Sequence, residues 1–132
     1  MDIIVRFNEK IYEELELRAA RALERCGLHG EGLAQLYVEM QNAVDTGQLR
    51  NSITHKVQDD TVYIGTNLEY APYVELGTGI YYPGGRQTPW VFKDRNGDWH
   101  MTNGQRARPF LKPALANHGD DYRAIIKDEF SE

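Results

Sequence analysis

The stretch Ile53–Thr66, "ITHKVQDDTVYIGT", decides the fold class. If Asp59-Asp60 is the loop of a hairpin, Val57 falls opposite Val62, His55 opposite Ile64 and Ile53 opposite Thr66. One face then holds Ile53, Val57, Val62 and Ile64, and the other holds Lys56, Gln58, Thr61 and Tyr63. Alternation of this kind is the pattern of an antiparallel hairpin with one buried face.

Upstream the apolar period changes from two to that of a helix. Asn8 is placed to cap a helix whose face carries Ile11, Leu15, Ala19, Ala22, Leu23 and Cys26. Gly27 is a plausible stop, and "GLHGEG" (Gly27–Gly32) reads as a break. A second helical stretch follows, with Leu33, Leu36, Tyr37, Met40 and Val44 on one face, and a short turn through "QLRN" after Asp45 and Thr46. Before Asn8, "DIIVRF" (Asp2–Phe7) is rich in β-branched residues and reads as a strand.

Downstream lies "EYAPYVELGTG" (Glu69–Gly79). Pro72 suits the first turn of a short helix, Ala71 marks its start, and Gly77 can end it with positive φ. Tyr73, Val74 and Leu76 are then free to pack, while Glu75 points elsewhere, towards an arginine of this chain or of a neighbour. A second hairpin is signalled by Asn96-Gly97 in "PWVFKDRNGDWHM". A two-residue loop sets Arg95 opposite Asp98, Asp94 opposite Trp99 and Phe92 opposite Met101, which collects Trp90, Phe92, Trp99 and Met101 on one aromatic face. Pro109 and Pro113 lead into a C-terminal helix, interrupted at Asn117–Gly119. The expectation is a single α+β domain over residues 1–132: N-terminal strand and helices, antiparallel β-hairpins and a C-terminal helix.

A net charge of -5 argues against a dedicated nucleic-acid binder. The charge is unevenly spread, since Arg86–Lys112 holds six basic residues against two acidic ones. Such a split suits equally an acidic and a basic face that meet between subunits, or a solvated loop that happens to be basic. A single cysteine, Cys26, forms no intrachain disulfide. The apolar run at the N-terminus is too short for a signal peptide or a membrane span.

Catalytic readings find little support. Glu75 has only tyrosines and apolar groups around it in sequence, so the enzyme reading rests on pairing it with Arg106 and Arg108. "GTGIYYPGG" lacks the Lys-Ser/Thr ending of a phosphate loop. His29, His55, His100 and His118 show no metal-ligand spacing. No cofactor, metal or catalytic residue is expected.

Three segments, in order, resemble the signature of the gene-product-ten-like family of tailed-phage neck or tail-completion proteins. They are "DTGQLRNSI" (Asp45, Thr46, Gly47, Leu49, Ser52, Ile53), "EYAPYVELGTG" (Tyr70, Ala71, Glu75, Gly77, Thr78) and "RARPFLKPAL" (Arg106, Ala107, Arg108, Pro109, Phe110, Pro113, Ala114). Residues 80–105 look like a variable hairpin insertion within that pattern. The resemblance implies a structural virion protein at the head–tail junction, assembled in the host cytoplasm and without catalytic residues. It implies a ring of copies around the DNA channel, with six matching the tail and twelve the portal. The implied neighbours are a head-closure, stopper or portal-adaptor protein on one side and a tail terminator or tail-tube protein on the other, with DNA passing through. The competing readings are a tail terminator ring and, from another class, a small enzyme or toxin using Glu75 with Arg106 and Arg108.

Overall fold

The chain is built on one long helix. The computed structural model describes Ile3, residues 8–41 and residues 46–131. The expected strand at 2–7 therefore lies outside the described residues except for Ile3, as do Val44 and Asp45.

Helix α1 runs unbroken from Glu9 to Met40, capped by the Asn8 side chain, which accepts from the Lys10 N–H at 2.9 Å. The expected break at Gly27–Gly32 is absent. The glycines there serve packing instead. A Cβ on Gly27 would come within 2.8 Å of the His55 ring carbon Cγ, and one on Gly30 would meet the Ile64 side chain and the Tyr122 hydroxyl, the latter at 2.8 Å. Glycine costs helix stability relative to alanine, but here it lets a hairpin and another helix approach the α1 backbone. The buried stripe of α1 runs Ala22, Cys26, Gly30, Ala34, Val38, a spacing of four. It is rotated from the expected second face, since Leu36 and Met40 are exposed. The expected first face is also only half used, since Ile11 and Leu15 are uncovered at 57% and 45%. Cys26 is buried, and burial pushes its thiol pKa up.

Helix α2 (Thr46–Ser52) leads into strands β1 (Thr54–Gln58) and β2 (Thr61–Gly65). Their register matches the sequence reading: His55 opposite Ile64, Val57 opposite Val62. Asp59 takes the left-handed turn position at φ 56°, which aspartate tolerates. The inward face also carries His55, an ion-pairing residue in an otherwise apolar row.

Helix α3 (Ala71–Leu76) and a 3₁₀ turn (Gly79–Tyr81) follow, then β3 (Trp90–Lys93), β4 (Trp99–Thr102), α4 (Leu111–Ala116) and α5 (Gly119–Glu129). The two hairpins form separate two-stranded sheets, so the class is α+β, as expected. The α5 helix lies along α1, where Arg25 bridges Asp128 at 2.8 Å and Glu129 at 3.0 Å.

The second hairpin departs from the sequence reading by one residue. Phe92 pairs with His100, Val91 with Met101 and Lys93 with Trp99. The reason is the Asp94 side chain, whose Oδ1 accepts from the N–H groups of Asn96 and Asp98, each at 2.9 Å. That encloses three loop residues, with Gly97 at φ 87°, in place of a two-residue turn. A one-residue slip moves side chains to the other face. The expected four-residue aromatic face is accordingly divided. Trp90 and Phe92 share a face with His100, which stacks on Phe92 at 5.4 Å. Val91, Trp99 and Met101 share the opposite face with Lys93. In this register Asp98 stands opposite Asp94 and Arg95 lies in the loop, where the sequence reading set Arg95 opposite Asp98.

Candidate assembly site at the Glu75 corner

The three motif segments meet in one core. Leu49 and Ile53 of the first, Ala71 of the second, and Phe110 and Ala114 of the third pack together with Ala34 and Val38 of α1. Leu49 and Phe110 are fully buried. Around that core the polar motif residues tie segments together. Ser52 donates to the Leu49 carbonyl at 2.6 Å and lies 2.6 Å from the Thr66 hydroxyl. The Tyr70 hydroxyl donates to Gln48 at 3.2 Å. Gly47 has open space around its Cα. Thr46 begins α2, and Asp45 lies outside the described residues.

Glu75 points at the backbone where the chain enters α4. Its carboxylate accepts from the backbone N–H groups of Phe110 at 2.7 Å, Leu111 at 3.0 Å and Lys112 at 2.8 Å. The first four N–H groups of any helix lack partners within it. In α4 those positions are Phe110, Leu111, Lys112 and Pro113. Glu75 satisfies three, and Pro113 has no N–H to satisfy. One carboxylate and one proline thus complete the start of α4, and the negative charge sits favourably at the helix N-terminus. Arg106 lies with its guanidinium carbon 5.5 Å from the centre of the Tyr81 ring. The Arg108 N–H donates to the Val74 carbonyl at 2.7 Å, and the Pro109 carbonyl accepts from Gln41 at 3.2 Å. The acid–base role weighed for Glu75 with these arginines does not match a carboxylate occupied in this way.

Immediately beyond α3 the chain crosses itself. The Thr78 N–H donates to the Gln105 carbonyl at 2.9 Å, the Gln105 N–H donates to the Thr78 hydroxyl at 2.8 Å, and the Ile80 N–H donates to the Asn103 carbonyl at 3.0 Å. The crossing is too close for side chains. Gly77 and Gly79 have φ of 83° and 60°, and a Cβ on either would run into the backbone of Gln105 or Asn103. The segment between, 80–105, leaves and returns through this two-strand neck and carries β3–β4 at its end. Trp99 and Met101 there are 67% and 74% exposed.

Two polar clusters escaped the sequence reading. His55 is gripped between two carboxylates of α1, Glu31 at 2.5 Å from Nδ1 and Glu24 at 2.7 Å from Nε2, with its side chain only 12% exposed. Hydrogen bonds to Glu24 and then Glu31 hold its pKa above the ordinary histidine value. The signal was Glu24, Gly27 and Glu31 on one helix face, but nothing local tied them to a strand histidine. Elsewhere Tyr37, His118, Asp121 and His29 form a chain: Tyr37 hydroxyl to His118 Nε2 at 3.0 Å, His118 Nδ1 to Asp121 at 3.3 Å, and His29 to Asp121 at 2.9 Å. His29 foremost, with His118, holds Asp121 below the usual carboxylate range.

These side chains cap helices, pin crossings and join elements of one fold. The sequence profile of the family described as "Bacteriophage HK97-gp10, putative tail-component" matches residues 3–77. That is more than half of the chain, which belongs to this family. It is a bacteriophage tail component, a virion protein that works in contact with other virion proteins. The match covers the first motif segment and most of the second, and ends at Gly77, where the neck begins. Comparison with curated proteins and with solved structures gave no match.

Proposed function

We propose that this chain is a neck or tail-completion protein, forming a ring around the DNA channel at the head–tail junction and joining the tail to the head connector. The observation that carries the reading is the hairpin. In a family of tail components, an apolar hairpin face stands in solvent on a neck pinned by paired backbone, which is the design of an element meant to be covered by a neighbour. The third motif segment, 106–115, adds support because its Phe110 and Ala114 complete the core begun by Leu49, Ile53 and Ala71 inside the family match. Residues 1–132 act as one domain, with 80–105 as an insertion hung on that core. A six-fold ring fits the tail, and a twelve-fold ring fits the portal.

The ring contacts on one side a head-closure, stopper or portal-adaptor protein, and on the other a tail terminator or tail-tube protein. The excess of basic residues in 86–112 over an acidic remainder supports head-to-tail contacts between copies. DNA slides through the lumen without sequence-specific binding. Deleting the gene tests the role: full heads and finished tails that fail to join support it. Tails of uncontrolled length would instead assign the chain to the terminator ring.

A further inference from the structure

Among the described residues, nothing covers the groove between the N-terminal half of α1, the β1–β2 turn and the end of α5. Its floor is Ala19, Leu23, Ile126 and Phe130, and its volume is about 470 Å³. Three exposed acids, Glu16, Asp59 and Asp60, also line it. The outward face of β3–β4 has the complementary character. Val91, Trp99 and Met101 are exposed there, and the Lys93 ammonium rides 5.9 Å from the centre of the Trp99 ring. Thus one surface is an apolar groove with acidic groups at its edge, and the other an apolar projection carrying a cation. The two are built from different elements, and the cleft beside the hairpin, lined by Tyr73, Thr78 and Gln105 with Trp90, Phe92 and Met101, includes no residue of α1.

We propose that the Trp99–Met101 face of one copy seats in the Leu23–Phe130 groove of the next copy of this chain. This deepens the ring reading and rests on it. The occupant is a second copy because apolar area and opposite charge match across the two surfaces. Each copy that donates its hairpin leaves its own groove open for another. Such a contact is heterologous and closes into a ring when the rotation allows. Trp99 is the anchor, since tryptophan seated in an apolar pocket carries a disproportionate share of binding energy. Lys93 approaches Asp59 and Asp60 at the rim, so added salt weakens the contact.

Sedimentation of the full-length protein tests this. The wild type is expected to self-associate. Trp99→Ser, which removes the anchor, and Ala20→Trp, which fills the groove from an exposed position, should each weaken association by at least about tenfold. Mixed together they should form a dimer that does not grow, since the mixture contains one intact groove and one intact hairpin per pair. A second pair at exposed positions, Lys93→Glu and Asp60→Lys, should each weaken association and restore it when combined in one chain. Self-association that all four changes leave untouched overturns this contact while the ring reading stands. A mixture of Trp99→Ser and Ala20→Trp that stays monomeric also overturns it. A wild type that remains monomeric at every concentration overturns the ring reading together with this contact.

Discussion

At the residue scale, Glu75 shows how a lone carboxylate in an apolar stretch can look catalytic and be architectural. Its oxygens close the start of α4, and the cost of losing them is the cost of stranding three backbone donors. Glu75→Ala is expected to destabilise the fold by about 2 kcal/mol in urea unfolding, with Glu75→Gln losing less because one oxygen remains. Equal stability of all three proteins would contradict the capping role. His55 makes a prediction in pH. Its folded pKa is raised, so the native state holds a proton that the unfolded chain releases first. The stabilisation is fully present below the unfolded histidine value of about 6.5 and is lost as pH rises through the folded value. The groups facing the imidazole are Glu24 and Glu31 of α1, with Gly27 packed against the ring. Thermal unfolding from pH 5 to pH 9 should show this fall, and His55→Gln should flatten it. A proton-resonance titration placing His55 at or below the ordinary value would refute it. The motif residues were readable as a set, but Glu75's partners were not. Three backbone N–H groups 35 to 37 positions away leave no side-chain signature.

At the element scale, the glycines of α1 separate two meanings of the same residue. Gly27 and Gly30 sit under the first hairpin, whereas Gly32 has nothing near its Cα. Alanine at Gly32 is expected to stabilise by about 1 kcal/mol through helix propensity. Alanine at Gly30 should instead destabilise by about 1–2 kcal/mol, since overpacking outweighs the same propensity gain. Were the helix broken at 27–32, the two substitutions would behave alike. The sequence spoke for the break because Gly-x-x-Gly and a lost apolar phase look the same whether a helix ends or a neighbour comes close. The two hairpins differ in legibility for a related reason. In the first, alternation over five residues of each strand fixed the register, and the observed pairing matches. In the second, Asn96-Gly97 marked a turn correctly, but Asp94 captured two further N–H groups and lengthened the loop by one residue. Side-chain capture of backbone donors competes with turn propensity, and four-residue strands have too few pairs to resist it. Asp94 lies below the usual carboxylate range, foremost through its hydrogen bond to His100.

At the scale of the whole molecule, the core and the projecting hairpin are separable by design. The core is formed by α1, α2, α3 and α4 around Phe110, and the neck at Thr78 and Gln105 closes before the hairpin begins. Replacing residues 82–101 by a short glycine-containing loop should leave the melting temperature within about 5 °C of the wild type, because little of the buried apolar surface lies in that segment. The same protein should fail to support joining of tails to heads. A collapse in stability would show that the hairpin belongs to the core. The family was legible from three short segments scattered over the chain, which folding brings to one core. The surfaces that would meet neighbours were less legible, since a one-residue change of register decided which aromatic side chains face outward. In the proposed function, this tail component rings the DNA channel at the head–tail junction. Imaging of the neck in intact particles tests it most directly. The expected result is a closed ring of this chain there, the hairpin of each copy lying against its neighbour. Density for the chain elsewhere in the tail, or as isolated copies without a ring, would contradict it.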